Sequence, residues 1–515
     1  MILGFSTHKI LPDRPQVNRQ LLDQTQFPLL ASLQACANRR DAPFYTPGHK
    51  RGAGTPDGLR TLLGMPALQA DLPELPDLDN LFAPQGVIQE AQELAAAAFG
   101  AEQTWFLTNG STGGILAAIL ATCHPGDKII LPRNVHQSAI SGLVLAGAMP
   151  VFLQPEYDPQ LDIAHSITPE AVTEALSAHP DARAVMMVSP TYYGVCGNVA
   201  EIAQRCHQYS IPLLVDEAHG SHFAFHTGLP TPALAAGADL SVQSIHKTLS
   251  ALTQAAMLHV QGDRIERDRL TRTLALVQST SPNYLLLASL DAARHQMATQ
   301  GKELLEQTLS LARQASTEIA QIPGLSLLTP DQAKTPGFAA LDPTRLTVTV
   351  SGLGIDGFTA DKILHNQFGV ICELPSLQHL TFIITLGNQA TDIHRLVCAL
   401  KSLPSPFSPS PSFLPPLSSL LPPLSSLLSP LSFPLPPLSP RQAFFSPTET
   451  LPIAQATGHI STELICPYPP GIPVLMPGEV VTEAGIAYLQ QVLAAGGIIS
   501  GCSDPDLQTL KVVRM

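Results

Sequence analysis

Charge is scarce in this 515-residue chain: Asp, Glu, Lys and Arg make up 13% of it, and 28 Lys and Arg face 41 Asp and Glu, a net charge of -13. So few cations argue against a phosphate backbone or an anionic membrane surface as partner, while an acidic surface suits a cationic ligand. No stretch of about 18 apolar residues is free of proline and charge, so no membrane span is predicted. The first residues, MILGFSTHKILPDRPQ, lack a basic segment followed by a long apolar one, which argues against a signal peptide. The eight cysteines are scattered without a CxxC pair, as in the reduced thiols of a cytosolic protein. HExxH and GxxxxGK[ST] are absent, and the glycine-rich turn at 110–114 is not a GxGxxG loop. That leaves no ready-made zinc-protease helix or P-loop, and no dinucleotide fingerprint at that turn.

What is present is an apolar chain, 45% hydrophobic, able to build a large core. VIQEAQELAAAAFG (87–100) has a helical apolar stripe and ends on a glycine suited to a C-cap. TWFL, DKIILP, MPVFLQ, ARAVMMVS, IPLLVDE and ADLSVQS read as strands. GILAAILATC, SAISGLVLAG, PEAVTEALSAHP and VAEIAQRCHQY read as the helices between them. Continuous apolar strands alternating with helices predict an α/β fold with a mostly parallel sheet covered on both faces.

The predicted organisation is an N-terminal tail and helix (1–40, interrupted by Pro12, Pro15 and Pro28), a large domain (41–320) and a small α+β domain (321–402). A Ser/Pro/Leu-rich linker (403–447), extended and mobile, then leads to a C-terminal domain (448–515). Between Lys401 and Arg441 there is no charge, and PPLSSLL recurs from Pro415 and Pro422. Those prolines forbid a continuous helix.

Three segments carry chemistry. In SVQSIHKTLSALTQAAMLHV, Ser244, His246 and Lys247 follow an apolar strand; a lysine there is poorly solvated, which lowers its pKa and makes it a nucleophile toward an aldehyde. In IPLLVDEAHGSHF, Asp216 ends a buried strand, where parallel sheets bind ligands and where a carboxylate can pair with a protonated pyridine nitrogen. Asp216, Glu217, His219, His222 and His226 also include possible metal ligands, but no further Cys/His cluster completes a site. In TNGSTGGILAAILA, Gly110, Ser111, Thr112, Gly113 and Gly114 open a helix, a place suited to a phosphate. Phosphate cradle, strand-end carboxylate and nucleophilic lysine together match one chemistry.

The sequence resembles the bacterial ornithine/lysine/arginine decarboxylases of the aspartate-aminotransferase fold (fold type I), closest to short members without an N-terminal wing domain. The resemblance rests on FYTPGHKRGAG (44–54), NGSTGG (109–114), PRNVHQS (132–138), SPTYYGV (189–195), VDEAHGSHF (215–223), SIHKTLSALTQAAMLH (244–259) and YPPGIPVLMPGE (468–479). It spans the chain after about residue 40 except the Ser/Pro/Leu segment. It implies pyridoxal 5'-phosphate as cofactor, joined to Lys247 as a Schiff base, with Asp216 on the pyridine nitrogen. His136 would stack on the ring (helix capping is its plainer alternative) and Ala218 would pack on the other face. Gly110, Ser111, Thr112 and Ser244 would hold the phosphate, and His246 would position the carboxylate or protonate the product carbanion. His219 stands where some larger members carry an aromatic residue, at a position that meets substrate.

Decarboxylation of lysine or arginine, with ornithine behind, is the activity implied, in a cytoplasmic homodimer or larger assembly. A distal ammonium or guanidinium needs a carboxylate. Asp71, Glu74, Asp77, Asp79, Glu373 and Glu479 are candidates, each with an ion pair or solvated loop as its plainer role. The alternatives are another fold-type-I reaction, such as transamination or elimination, and a catalytically silent regulatory or scaffolding relative.

Overall fold

Seven strands between residues 103 and 260 form one sheet, and neighbouring residues along them enter different cores. A computed structural model describes residues 22–333, 336–404, 435–468 and 471–514. The strands are β1 (Gln103–Leu107), β2 (Lys128–Pro132), β3 (Met149–Leu153), β4 (Ala184–Val188), β5 (Leu213–Asp216), β6 (Leu240–Gln243) and β7 (Ala256–Val260). Their spatial order is β1-β7-β6-β5-β4-β2-β3. β7 runs antiparallel to both neighbours, and every other pairing is parallel. β7 was not singled out in the sequence: AMLHV is short and uniformly apolar, and periodicity cannot distinguish such a run from a buried helix.

Met186 packs with Ile119, Ile140 and Leu270 on one face of the sheet. Its neighbour Met187 packs with Val172 and Ile202 on the other. Period-two alternation thus feeds two apolar cores, which is why both faces read as hydrophobic in sequence. The Gly110–Thr122 helix lies close against the sheet because Gly114 has no side chain. A Cβ there would sit 2.6 Å from Val242 Cγ1 and 2.7 Å from Leu107 Cδ1.

Pro28 starts a helix, Pro28–Ala37, where interruption was expected. At the first helical position its missing N–H has no partner to lose. This helix belongs to the large domain's core, beside Ile88 and Leu287. Asp291 accepts from the Leu29 and Leu30 N–H groups, and Arg294 donates to the Gln24 and Gln26 carbonyls. Residues 1–21 lie outside the described residues.

The 36-residue helix Tyr284–Ile319 bridges to the small domain. There an antiparallel sheet of Ser326–Leu327, Arg345–Thr349, His379–Ile383 and Leu374–Pro375 packs on the helix Ala390–Lys401. The helix Pro440–Phe445 falls inside the expected linker, and it is built: Ser439 and Gln442 form a capping box, and Arg441 donates to the Val144 and Leu145 carbonyls of the large domain. Residues 405–434 of that segment lie outside the described residues. In the C-terminal unit Thr448–Pro452 pairs with Thr509–Val513, and Cys466–Tyr468 with Ile498–Ser500. Among the described residues no helix is long and apolar enough to cross a membrane.

Candidate active site

The carboxyl ends of β1, β2, β4, β5 and β6 share one edge of the sheet, the edge at which open α/β folds bind ligands. Asp216 closes β5 and is 6% exposed. β6 ends at Gln243, and one helical turn, Ile245–Thr248, brings Lys247 to the same edge. β1 leads to the helix beginning at Gly110, β2 to His136 and β4 to Tyr192.

Asp216 accepts one hydrogen bond, from the Ala218 N–H at 3.2 Å. Among the described residues it forms no ion pair within 4.0 Å. Burial pushes its carboxyl pKa up, against the pull of the Lys247 charge and the Ala218 N–H. Burial likewise pushes the Lys247 amine down, Asp216 opposing and Arg345 assisting. Lys247 Nζ lies 3.0 Å from His219 Nε2 and 5.6 Å from the centre of the Tyr192 ring. The Tyr192 and His219 rings are 4.6 Å apart.

Ser244 Oγ donates to Ser111 Oγ at 2.8 Å, joining the two segments expected around a phosphate. Asn109 precedes this helix without capping it, and its amide N–H donates to the Val277 carbonyl. Gly110 has φ +69, a conformation that favours glycine. The first turn is therefore left without a side-chain cap, beside two hydroxyls.

His136 caps the helix Gln137–Ala146: its Nδ1 accepts from the Ser138 N–H at 3.2 Å. The capping role considered as its plain alternative is real, and it aims the ring. Since Nδ1 accepts, the ring proton of neutral His136 is on Nε2. Burial, then the Lys247 charge, lowers its pKa to about 4. His246 points Nδ1 at the Ala255 carbonyl at 3.0 Å, so this nitrogen carries its proton. Burial lowers its pKa also.

The acidic candidates divide. Glu373, exposed on the small domain, attracts charge at His246, Lys247 and Arg345 and so belongs to this cluster. Glu479 does not join it; the carboxylate pairs with Arg133 at 2.9 Å and accepts from the Met476 N–H, fastening the C-terminal unit to β2. Glu74 accepts from Asn80, Asp71 pairs with His49 and Asp77 with Arg39. Asp79 accepts from the N–H groups of Asn80, Gln85, Gly86, Ile88 and Gln89.

The residues weighed as metal ligands are likewise engaged separately. Glu217 accepts from Ala233, Ser241 and Gln243, His222 faces Asp342 and His226 faces Glu306. Sequence reasoning missed Arg345 and gave Tyr192 no role. Both residue types are common in folded chains, and only the fold brings them within reach of Lys247.

The family model for the Orn/Lys/Arg decarboxylase major domain matches residues 27–392, and that for the C-terminal domain matches residues 431–504. The arginine decarboxylase of Bacillus subtilis (strain 168) is 40% identical over 493 residues, covering 96% of this chain and 99% of its own. The constitutive lysine decarboxylase of Escherichia coli (strain K12) is 25% identical over 93% of this chain and 78% of its own. Among solved structures, the lysine decarboxylase of Francisella novicida superposes with a TM-score of 0.80 at 22% identity, over 95% of this chain and 81% of its own. At that identity the likeness is one of fold, and it places the chain among fold-type-I architectures.

Proposed function

Since the chain belongs to the Orn/Lys/Arg decarboxylase family and decarboxylates a basic amino acid, we propose that its substrate is arginine and its cofactor pyridoxal phosphate, joined to Lys247. The cofactor reading rests on the buried Asp216 carboxylate, which among the described residues takes one hydrogen bond and forms no ion pair within 4.0 Å. A buried charge without a partner is costly. A pyridinium N–H would supply the partner, so the donor set fits the group. Arginine is favoured over lysine because similarity to arginine decarboxylases extends over nearly the whole of both chains, while the lysine enzymes are more distant and longer.

Pyridoxal phosphate, when bound, supplies an electron sink for the pair that carbon dioxide leaves behind. Asp216 holds a proton at the ring nitrogen. Ser111, Thr112, Ser244 and the uncapped first turn after Gly110 receive the phosphate dianion. His136, neutral at physiological pH, bounds one face of the ring and Ala218 the other. Lys247 provides the amine that captures the aldehyde. With Nδ1–H committed to Ala255, His246 has Nε2 available to move a proton to the α carbon. Glu373 receives the distal cation of the substrate. We further infer a homodimer, since Phe44, Leu62, Leu63 and Met65 leave apolar surface exposed near the chain start; a fully active monomer in solution would contradict this.

Side-by-side assay of carbon dioxide release from arginine, lysine and ornithine tests the substrate. Arginine should have the highest kcat/KM. A higher value for lysine would overturn the assignment, and a keto acid in place of carbon dioxide would indicate transamination.

A further inference from the structure

Arg345 reaches the site from another domain. It begins the strand Arg345–Thr349, and its side chain is fully buried. Nη2 lies 2.5 Å from His219 Nδ1, while His219 Nε2 lies 3.0 Å from Lys247 Nζ. A guanidinium in a protein stays charged and only donates. His219 Nδ1 must therefore accept, and the single proton of the neutral ring sits on Nε2. That N–H faces Nζ, and only an amine with a free lone pair can accept it. An ammonium, with donors and no acceptor, would set N–H against N–H.

We propose that Arg345 is a positioning residue which, acting through His219, holds Lys247 as the neutral amine. The inference rests on Lys247 being the cofactor lysine. The neutral form matters because its lone pair attacks the aldehyde carbon; C=N replaces C=O, and the two amine protons leave with the oxygen as water.

The surroundings of Nζ are mixed, and the relay acts within them. Asp216 and Glu373 favour the ammonium, as does the face of the Tyr192 ring. Burial and Arg345 oppose it. His136 and His246 complete the titratable groups around His219, which burial, first, and then the Arg345 charge hold far below the usual histidine range. Asp342, with Oδ2 3.8 Å from Arg345 Nε and 3.2 Å from His222 Nε2, balances the guanidinium from behind. Among the described residues, Arg345 Nε and Nη1 make no hydrogen bond. The contact to His219 is thus not one of many bonds on a saturated structural strut.

The test uses the full chain freed of cofactor and mixed with pyridoxal phosphate across a pH series. Adduct is trapped with borohydride and quantified on the Lys247 peptide by mass. The wild-type capture rate should level off well below the pH range of an ordinary lysine. In Arg345→Gln the midpoint should move up by about one pH unit, slowing capture at neutral pH about tenfold. Arg345→Lys, still cationic and donor-only, should keep the wild-type midpoint. Equal slowing of Arg345→Gln at every pH would mean a packing role and overturn the proposal, as would an ordinary lysine midpoint in the wild type. Should both variants fail to fold, His219→Ala removes the acceptor for Arg345 and the donor to Lys247. It should raise the midpoint as Arg345→Gln does, and a wild-type midpoint there overturns the proposal. Adduct on Lys247 with an ordinary midpoint sinks the relay alone, whereas adduct on a different lysine removes the cofactor reading with it.

Discussion

The acid-rich loop at residues 71–79 and the strand end at Asp216 both present carboxylates, but they use them in opposite ways. In the loop, charge is met by local partners. Arg39 holds the Asp77 carboxyl below its ordinary range. Burial pushes Asp79 up, yet its backbone N–H donors bring it below that range. Glu74 departs from this pattern: burial raises it, although the Leu81 N–H and the Asn80 amide both donate to it. At the strand end, burial prevails over partners: Asp216 is raised and Lys247 lowered, each with less company than its charge requires. A dense run of acids therefore marks architecture here, and one under-partnered acid marks the candidate site.

Removal of the nucleophile tests the sharpest edge of that contrast. Lys247→Ala should abolish carbon dioxide release and the visible absorbance of the bound cofactor; normal turnover would defeat the assignment. Asp216→Ala should retain some cofactor but lose at least about a hundredfold in kcat, because no acid then keeps the ring proton in place. Wild-type turnover in that variant would remove the electron-sink role.

Acid should expose the cost of burying neutral groups, in the site and away from it. Burial draws His136, His259 and His379 down to about 4, about 3 and about 4. Below about pH 6.5 the unfolded chain, with ordinary histidines, binds more protons than the folded one. The stability these groups contribute is thus present above that pH and lost as it falls toward 4. Thermal unfolding followed from pH 8 to 5 should show a flat midpoint and then a decline; a rise on acidification would mean that these rings are charged in the fold.

The smallest effects belong to the loop. Asp79→Ala removes a cap over the helix Val87–Phe99 and should cost about 1 kcal/mol, a fall of roughly 1–2 °C in Tm. Asp77→Ala breaks an exposed pair and should leave Tm unchanged within error. Neither should alter kcat with arginine. A large loss of kcat in either would restore this loop as a substrate contact.

The strands β1 to β6 were legible because strands buried on both faces must be apolar throughout, and Gly100 marked a helix end because a left-handed residue there favours glycine. Lys247, Asp216 and the Gly110–Thr112 turn could be singled out as candidates for a related reason: the residue type suits the proposed chemistry, and a neighbouring strand or helix start supplies the setting. The helix at Pro440–Phe445 was not, since Ser and Pro look the same in a linker as in a capping box. Glu479 and Glu373 were equal candidates in the sequence; folding placed one on Arg133 and the other near Lys247. Local pattern settled which segments pair and which groups can react. Which acid remains without a cation, and which distant arginine controls a histidine's proton, depended on side chains far apart in the chain meeting in a buried space, where the absence of water makes each missing partner count.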